Sequence, residues 1–186
     1  MRIISGIARG RQLVTISGKT IRPTPDRVRE ALFSMLTSRF DSLHGLNVLE
    51  LFAGSGAQAL EALSRGARSA TLVDSGSVAA ETITENINRC HFESITKFLH
   101  QDVLTALPQL TSSAPFELIL LDPPYHQNLI PKVIEMIVHL NLLAENGIIC
   151  AETARDEESN VFAEINLLDC RTYGSTQIHL YGHSKD

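Results

Sequence analysis

Apolar positions along this chain follow two alternating rhythms. Short, nearly unbroken apolar runs at 47–51, 70–73, 95–100, 116–121 and 147–151 read as strands, the pattern expected where both faces of a parallel sheet are covered. Between them apolar residues recur at helical spacing. Val28, Ala31, Leu32, Met35, Leu36 and Phe40 mark a helix over 26–40, and further helices are predicted over 57–64, 77–89, 103–107 and 129–140. Strands that alternate with helices in this way argue for a doubly wound parallel sheet. The end breaks the rhythm: 165–173 and 177–181, joined through Gly174-Ser175, read as an antiparallel pair. The fold class is therefore α/β and Rossmann-like, with a mostly parallel seven-stranded sheet, one antiparallel strand and a small N-terminal β extension.

That extension has its own pattern. Ile3-Ile4, Leu13-Val14 and Ile16 are separated by Ser5-Gly6, Arg9-Gly10 and Ser17-Gly18, which favours a small hairpin or meander. Pro23 and Pro25 hold the chain extended before the first helix, with Thr24 or Asp26 placed to cap it. The chain accordingly divides into an N-terminal arm, 1–24, and a main domain, 25–186.

Charge sharpens the division. The net charge of the 186 residues is −5, yet residues 1–29 carry seven basic groups against the single acid Asp26. The arm region is thus +6 and the remainder −11, which suggests a basic arm reaching a polyanion from an acidic body. Cys90, Cys150 and Cys170 are far apart, and no Cys/His spacing suits a metal or a disulfide framework. Reduced, mostly buried thiols are expected. No run approaches the roughly 18 apolar residues of a membrane span, so a cytoplasmic protein without membrane contact is expected. The cluster Asp156-Glu157-Glu158 reads as a solvated loop.

Two loops carry chemistry. In doubly wound sheets, ligands sit beyond the carboxyl ends of the strands. Phe52-Ala-Gly-Ser-Gly-Ala57 follows such an end, where Gly54 and Gly56 let the backbone turn tightly and approach a ligand. Asp74, twenty residues beyond Gly54, suits the two hydroxyls of a ribose, or else caps the helix that starts at Ser77. Asp102 suits an adenine amino group or an N-cap. Glu50, inside an apolar strand, needs partners: backbone N–H groups or the ammonium of a cofactor. Glu50, Phe52, Gly54, Gly56, Asp74 and Asp102 are the candidate cofactor residues. They indicate an adenosine-bearing cofactor without separating NAD from S-adenosylmethionine.

Asp122-Pro-Pro-Tyr125 ends the run Phe116–Leu121 and points to the reaction class. An exocyclic amine on an aromatic base is a poor nucleophile, because its lone pair is delocalised. The Asp122 carboxylate and the Pro123 carbonyl can accept its two N–H bonds and favour a pyramidal nitrogen, aimed by orientation and fixed dipoles. Two prolines stiffen the loop, and Tyr125 offers a stacking face for a base lifted from its helix. Asp122, Pro123 and Tyr125 are the candidate catalytic residues for methyl transfer to an amino nitrogen.

With these motifs in hand, the chain resembles the RsmD family of 16S ribosomal RNA guanine-N2 methyltransferases over nearly its whole length. The likeness rests on Arg2-Ile-Ile-Ser-Gly6 with Arg9-Gly-Arg11, and on Arg22-Pro-Thr-Pro-Asp-Arg-Val-Arg-Glu-Ala-Leu-Phe33. Leu51-Phe-Ala-Gly-Ser-Gly-Ala57, Leu60-Glu-Ala-Leu63, Asp122-Pro-Pro-Tyr125 and Tyr173-Gly174 agree as well. The resemblance implies a class I fold, S-adenosylmethionine as methyl donor, S-adenosylhomocysteine as product and no metal. It also implies one guanine of 16S RNA as acceptor, guanine 966, presented on an assembling small subunit; a monomer is expected, though the sequence does not show the oligomeric state. Arg2, Arg9, Arg11 and Lys19 would then contact phosphates. Arg22, Thr24 and Arg27 would either join them, line the pocket or tie the arm to the body. Gln58-Ala59 departs from the family's usual apolar residue and Gly, and Asp74 replaces the commoner Glu.

Three other readings stay open. N6-adenine methylation of nucleic acid uses the same amine-holding loop. A dinucleotide-dependent oxidoreductase explains Gly54, Gly56 and Asp74 and leaves Asp122–Tyr125 unused. A non-catalytic, cofactor-binding assembly factor would keep the cradle without the transfer.

Overall fold

The computed structural model describes residues 1–16, 26–157 and 162–183. Helix α1 spans Asp26–Phe40, strand β1 Asn47–Leu51 and helix α2 Ala57–Ser64. Strand β2 (Ser69–Asp74), helix α3 (Ser77–Cys90) and strand β3 (Thr96–His100) follow. A short helix α4 (Val103–Ala106) runs into a 3₁₀ turn before strand β4, Phe116–Leu121. Helix α5 (Leu129–His139), strand β5 (Leu143–Ala154), strand β6 (Asn166–Tyr173) and strand β7 (Thr176–Gly182) complete the order.

The seven strands form one sheet in the order β3-β2-β1-β4-β5-β7-β6. The first five pair in parallel, and β7 runs antiparallel to both β5 and β6. The chain starts at β1, builds outward through β2 and β3, and then crosses back to β4. Strand order therefore reverses between β1 and β4, and the crevice of a doubly wound sheet opens at that point.

Alternating side chains divide the core between the two faces. Val48, Leu118, Leu120, Ile148 and Cys150 pack under α1, α2 and α3, with Leu32, Phe33, Leu36, Leu60 and Ile83. Leu49, Leu51, Ile119, Leu121 and Ile149 face the other side, against Val103, Leu107, Val133 and Ile137. β5 begins at Leu143, earlier than its apolar run suggests. Leu143 pairs with Phe116, and a register shift follows between Phe116 and Leu118, so the turn-like Ala144-Glu-Asn-Gly147 is carried inside the strand.

The described part of the arm is a hairpin closed by the bridge Arg2↔Gln12, with Ile3 N–H donating to Arg11 O and Leu13 N–H to Met1 O, each at 3.0 Å. Its apolar side chains Ile3, Ala8 and Leu13 join the core under α1 and α2. Glu61 and Ser64 of α2 hold its backbone: Ile4 N–H donates to Glu61 Oε2 (2.7 Å), Ser5 N–H to Glu61 Oε1 (3.0 Å) and Ala8 N–H to Ser64 Oγ (3.0 Å). Cys90 and Cys150 are buried as expected, whereas Cys170 is exposed, because it lies on the sheet-edge strand β6. No helix among the described residues is long and apolar enough to cross a membrane.

Candidate active site

β1 and β4 are neighbours, with Leu51 in register with Leu121. The loops that leave them, Phe52–Gly56 and Asp122–Tyr125, therefore start side by side at the strand-order reversal.

The first loop is held in shape from three sides. Phe52, Gly54 and Gly56 all take left-handed backbone angles, with φ of 58°, 55° and 73°. A Cβ on Gly56 would lie 2.8 Å from Leu72 Cδ2, whereas one on Gly54 would meet nothing closer than 4.0 Å. Gly56 is thus required by packing on the body, and Gly54 faces open space, as a ligand cradle demands. The Gly54 N–H donates to Asp74 Oδ2 at 2.7 Å, and Gly76 N–H donates to Asp74 Oδ1 at 2.8 Å. Asp74 consequently both shapes the loop and serves the start of α3. A carboxylate has about four lone-pair sites, so capacity for ribose hydroxyls remains. From the other side, the buried amide of Asn86 on α3 donates to the carbonyls of Ser55 (2.9 Å) and Val14 (3.0 Å), while its oxygen accepts from Val14 N–H (2.7 Å).

Glu50 accepts from Ala59 N–H at 2.9 Å and so satisfies a free donor in the first turn of α2. Burial pushes its carboxyl up to about 8, and the nearby Asp122 and Asp74 carboxylates push the same way, against the backbone N–H bonds of Ala59 and Gln58. Asp102 is the N-cap of α4: its Oδ1 accepts from Thr105 N–H at 3.1 Å. It is exposed at the tip of the third strand.

In the second loop, Asp122 is half-buried and Pro123 buried, while Pro124 and Tyr125 are exposed. Burial pushes the Asp122 carboxyl up to about 6. The Tyr125 ring is 38% exposed, and its hydroxyl lies 3.3 Å from Thr176 Oγ1. Beside this loop is a cavity of about 480 Å³ lined by Pro123, Pro124, Tyr125, Asn128, Glu152 and Glu157, among others. That volume is within the usual range for small-molecule sites. Glu157 does not stand freely in solvent as the acidic cluster suggested: it accepts from the backbone N–H of His126, and its Oε1 lies 3.5 Å from His126 Nδ1.

Register explains how these acids relate. Glu50 pairs with Leu72 and Leu120, and Leu120 with Cys150. Two residues further along each strand stand Asp74, Asp122 and Glu152. Because side chains alternate, Asp74, Glu50, Asp122 and Glu152 project from one face, at the carboxyl ends of β2, β1, β4 and β5. Glu152 was not singled out from the sequence, and Gln58 only as a departure from the family's apolar residue, with no site role; its Nε2 donates to Glu152 Oε1 at 2.8 Å. A polar residue within an inward apolar stretch was the available signal in both cases. Among the described residues no group of His, Cys, Asp and Glu is placed to hold a metal ion.

The basic residues are dispersed. Arg2 is exposed, with Nε 3.7 Å from Asp26 Oδ2, and Arg9 and Arg27 are exposed. Arg11 is half-buried and donates to the Arg89 carbonyl. Lys19, Arg22 and Thr24 lie outside the described residues. Arg29 is buried, donating through Nη2 to the Arg2 carbonyl and, at 3.0 Å, to Asp26 Oδ1. It ties the arm to α1.

Residues 1–182 match the family model described as conserved hypothetical protein 95. The ribosomal RNA small subunit methyltransferase D of Haemophilus influenzae is 34% identical over 183 residues, covering 97% of this chain and 93% of that protein. Among solved structures, the yhhF protein of Escherichia coli superimposes with a TM-score of 0.83 at 29% identity, covering 100% of this chain and 99% of the other. A conserved hypothetical protein of Streptococcus pyogenes gives 0.77 at 32% identity, over 84% and 95% of the two chains.

Proposed function

Because this chain belongs to the RsmD family, that of conserved hypothetical protein 95, we propose that it methylates the exocyclic N2 amine of a guanine in 16S ribosomal RNA. The observation that carries this reading is the register of Leu51 with Leu121. It sets the loop suited to a methyl donor beside the loop suited to an amine, and methyl transfer needs donor and acceptor in line.

The acid row favours S-adenosylmethionine over a dinucleotide. Four carboxylates at one sheet end, one of them pushed up to about 8, suit a ligand that brings positive charge; the pyrophosphate of NAD would meet repulsion. Glu50 would face the ammonium group and the first turn of α2 the carboxylate beside it, Gly54 the backbone-close part, Asp74 the ribose and Asp102 the adenine. When bound, S-adenosylmethionine supplies an electrophilic methyl group on sulfonium sulfur and leaves as S-adenosylhomocysteine.

The chain's own residues do the rest. Asp122 and the Pro123 carbonyl accept the two N–H bonds of the guanine amine, which localises its lone pair. Tyr125 stacks on the base and holds its plane. The nitrogen becomes acidic only once alkylated, so Asp122 takes the proton late and need not be a strong base. Arg2, Arg9, Arg11, Lys19 and Arg22 of the arm and Arg27 of α1 supply the phosphate contacts. The acceptor is the guanine that the family resemblance implies, on an assembling small subunit in the cytoplasm, met by a monomer.

The test is methyl transfer from methyl-labelled S-adenosylmethionine to small subunits from cells lacking this protein, followed by nucleoside analysis. N2-methylguanosine at a single site is the expected product. N6-methyladenosine would establish the adenine reading, and absence of label would leave only an assembly factor.

A further inference from the structure

Glu152 is the acid of the row to which the transfer reading assigns no task. It follows Ala151, which is in register with Leu121, so it stands beside Asp122 on the neighbouring strand, about 4.8 Å away across the sheet. Glu152 is only 2% exposed, yet it lines the same cavity as Pro123, Pro124 and Tyr125. A buried carboxylate is costly without hydrogen-bond donors. The buried amide of Gln58 provides one at 2.8 Å and fixes the direction of the group.

We infer that Glu152 selects guanine by accepting the N1–H of the base whose 2-amino group Asp122 holds. This rests on the guanine reading above and names the residue that enforces it. Three nucleobases carry an exocyclic amine. In adenine and cytosine, the Watson–Crick ring nitrogen beside that amine is a lone-pair acceptor; in guanine it carries a proton. Two adjacent carboxylates match two adjacent donors. The same pair sets the lone pair of adenine or cytosine against a negative charge, with no donor between them. A flipped base is read along this edge, and a site built to bond a substrate N–H strongly rejects the analogue that lacks it. Gln58 is a positioning residue, acting through Glu152.

The experiment uses small subunits reconstituted with RNA in which the target guanine is replaced by 2-aminopurine or by 2,6-diaminopurine. Both bases keep the 2-amine and present N1 as an acceptor, and they differ from one another at position 6. In single-turnover assays the intact protein should methylate both at least about tenfold more slowly than guanine. Glu152→Gln, which can offer N1 either an oxygen or an N–H, should bring the three rates within about threefold. Its far-ultraviolet circular dichroism spectrum should match that of the intact protein, showing an intact fold. Gln58→Leu should weaken the discrimination in the same direction by removing the 2.8 Å bond that orients the carboxylate. Equal rates on all three bases with the intact protein, or full discrimination retained in Glu152→Gln, would overturn the inference. Failure to methylate even the guanine particle would instead strike the proposed activity itself.

Discussion

The backbone N–H of Gly54 donates to the Asp74 carboxylate across 2.7 Å, so the glycine loop after β1 is fastened to the last residue of β2. The acid that would bind a ribose also sets the height of the loop beneath it. Replacing Asp74 by Ala removes both functions, whereas Asn keeps an oxygen for Gly54. Asp74→Ala should raise the Kd for S-adenosylmethionine by tenfold or more, and Asp74→Asn by clearly less. Isothermal titration calorimetry measures both, and equal losses would contradict the double role.

The two loop glycines should fail in different ways. Alanine at position 56 meets Leu72 Cδ2 at 2.8 Å with φ at 73°. Left-handed strain of about 1–2 kcal/mol then adds to overpacking of about 1–3 kcal/mol. Alanine at position 54 bears only the strain. Urea unfolding should show Gly56→Ala as the less stable variant, while Gly54→Ala loses mainly cofactor affinity.

Protons should leave when the donor binds. Glu50, pushed up to about 8 by burial and by neighbouring carboxylates, is mostly protonated at pH 7 in the free protein. A cation beside it favours the carboxylate and lowers that value, so binding should release up to one proton. The observed binding enthalpy should therefore depend on buffer ionisation enthalpy, and in Glu50→Gln this dependence should shrink.

Asp122 should set a pH threshold for methyl transfer. Its carboxyl, held at about 6 by burial, can take the proton of the alkylated amine only when ionised. Turnover should fall as pH drops through about 6 and level off above it. Asp122→Asn should lower kcat by about 10²-fold or more with cofactor affinity changed by only a few fold. Rate against pH for both proteins checks the assignment.

Arg9 is the cleanest probe of the arm, since it is exposed and its side chain joins none of the ion pairs among the described residues. Arg9→Ala should weaken RNA binding at every sequence and reduce the salt slope by about 1. A filter-binding titration at several salt concentrations would show this, and an unchanged slope would remove Arg9 from the interface.

Much of this architecture was legible in residues whose signals are local. Helix α1 and strands β1 and β4 occupy their expected spans, since nearly unbroken apolar runs and a helical period leave little choice. What escaped depends on partners distant in sequence. Gln58 and Glu152 are 94 residues apart, and each alone reads as an odd polar residue in an apolar stretch. Asn86 joins α3 to Ser55 and Val14 in the same way. Arg29 lies on the inward phase of α1 with Leu32, Phe33 and Leu36, which could have revealed it. The early start of β5 was hidden because sheet pairing at Leu143 overrides the turn preference of the residues after it.

The first sixteen residues belong to the foundation as much as to the proposed RNA contact. Ile3, Ala8 and Leu13 lie under α1 and α2, and the backbone around them fills acceptors on Glu61 and Ser64. Cutting this stretch away would take Ile3, Ala8 and Leu13 out of the core and leave the buried Glu61 with Arg65 but without its backbone donors, so a truncated protein would report on lost stability as well as on recognition. Contact with nucleic acid here can be dissected only by altering charge at surface positions, one side chain at a time.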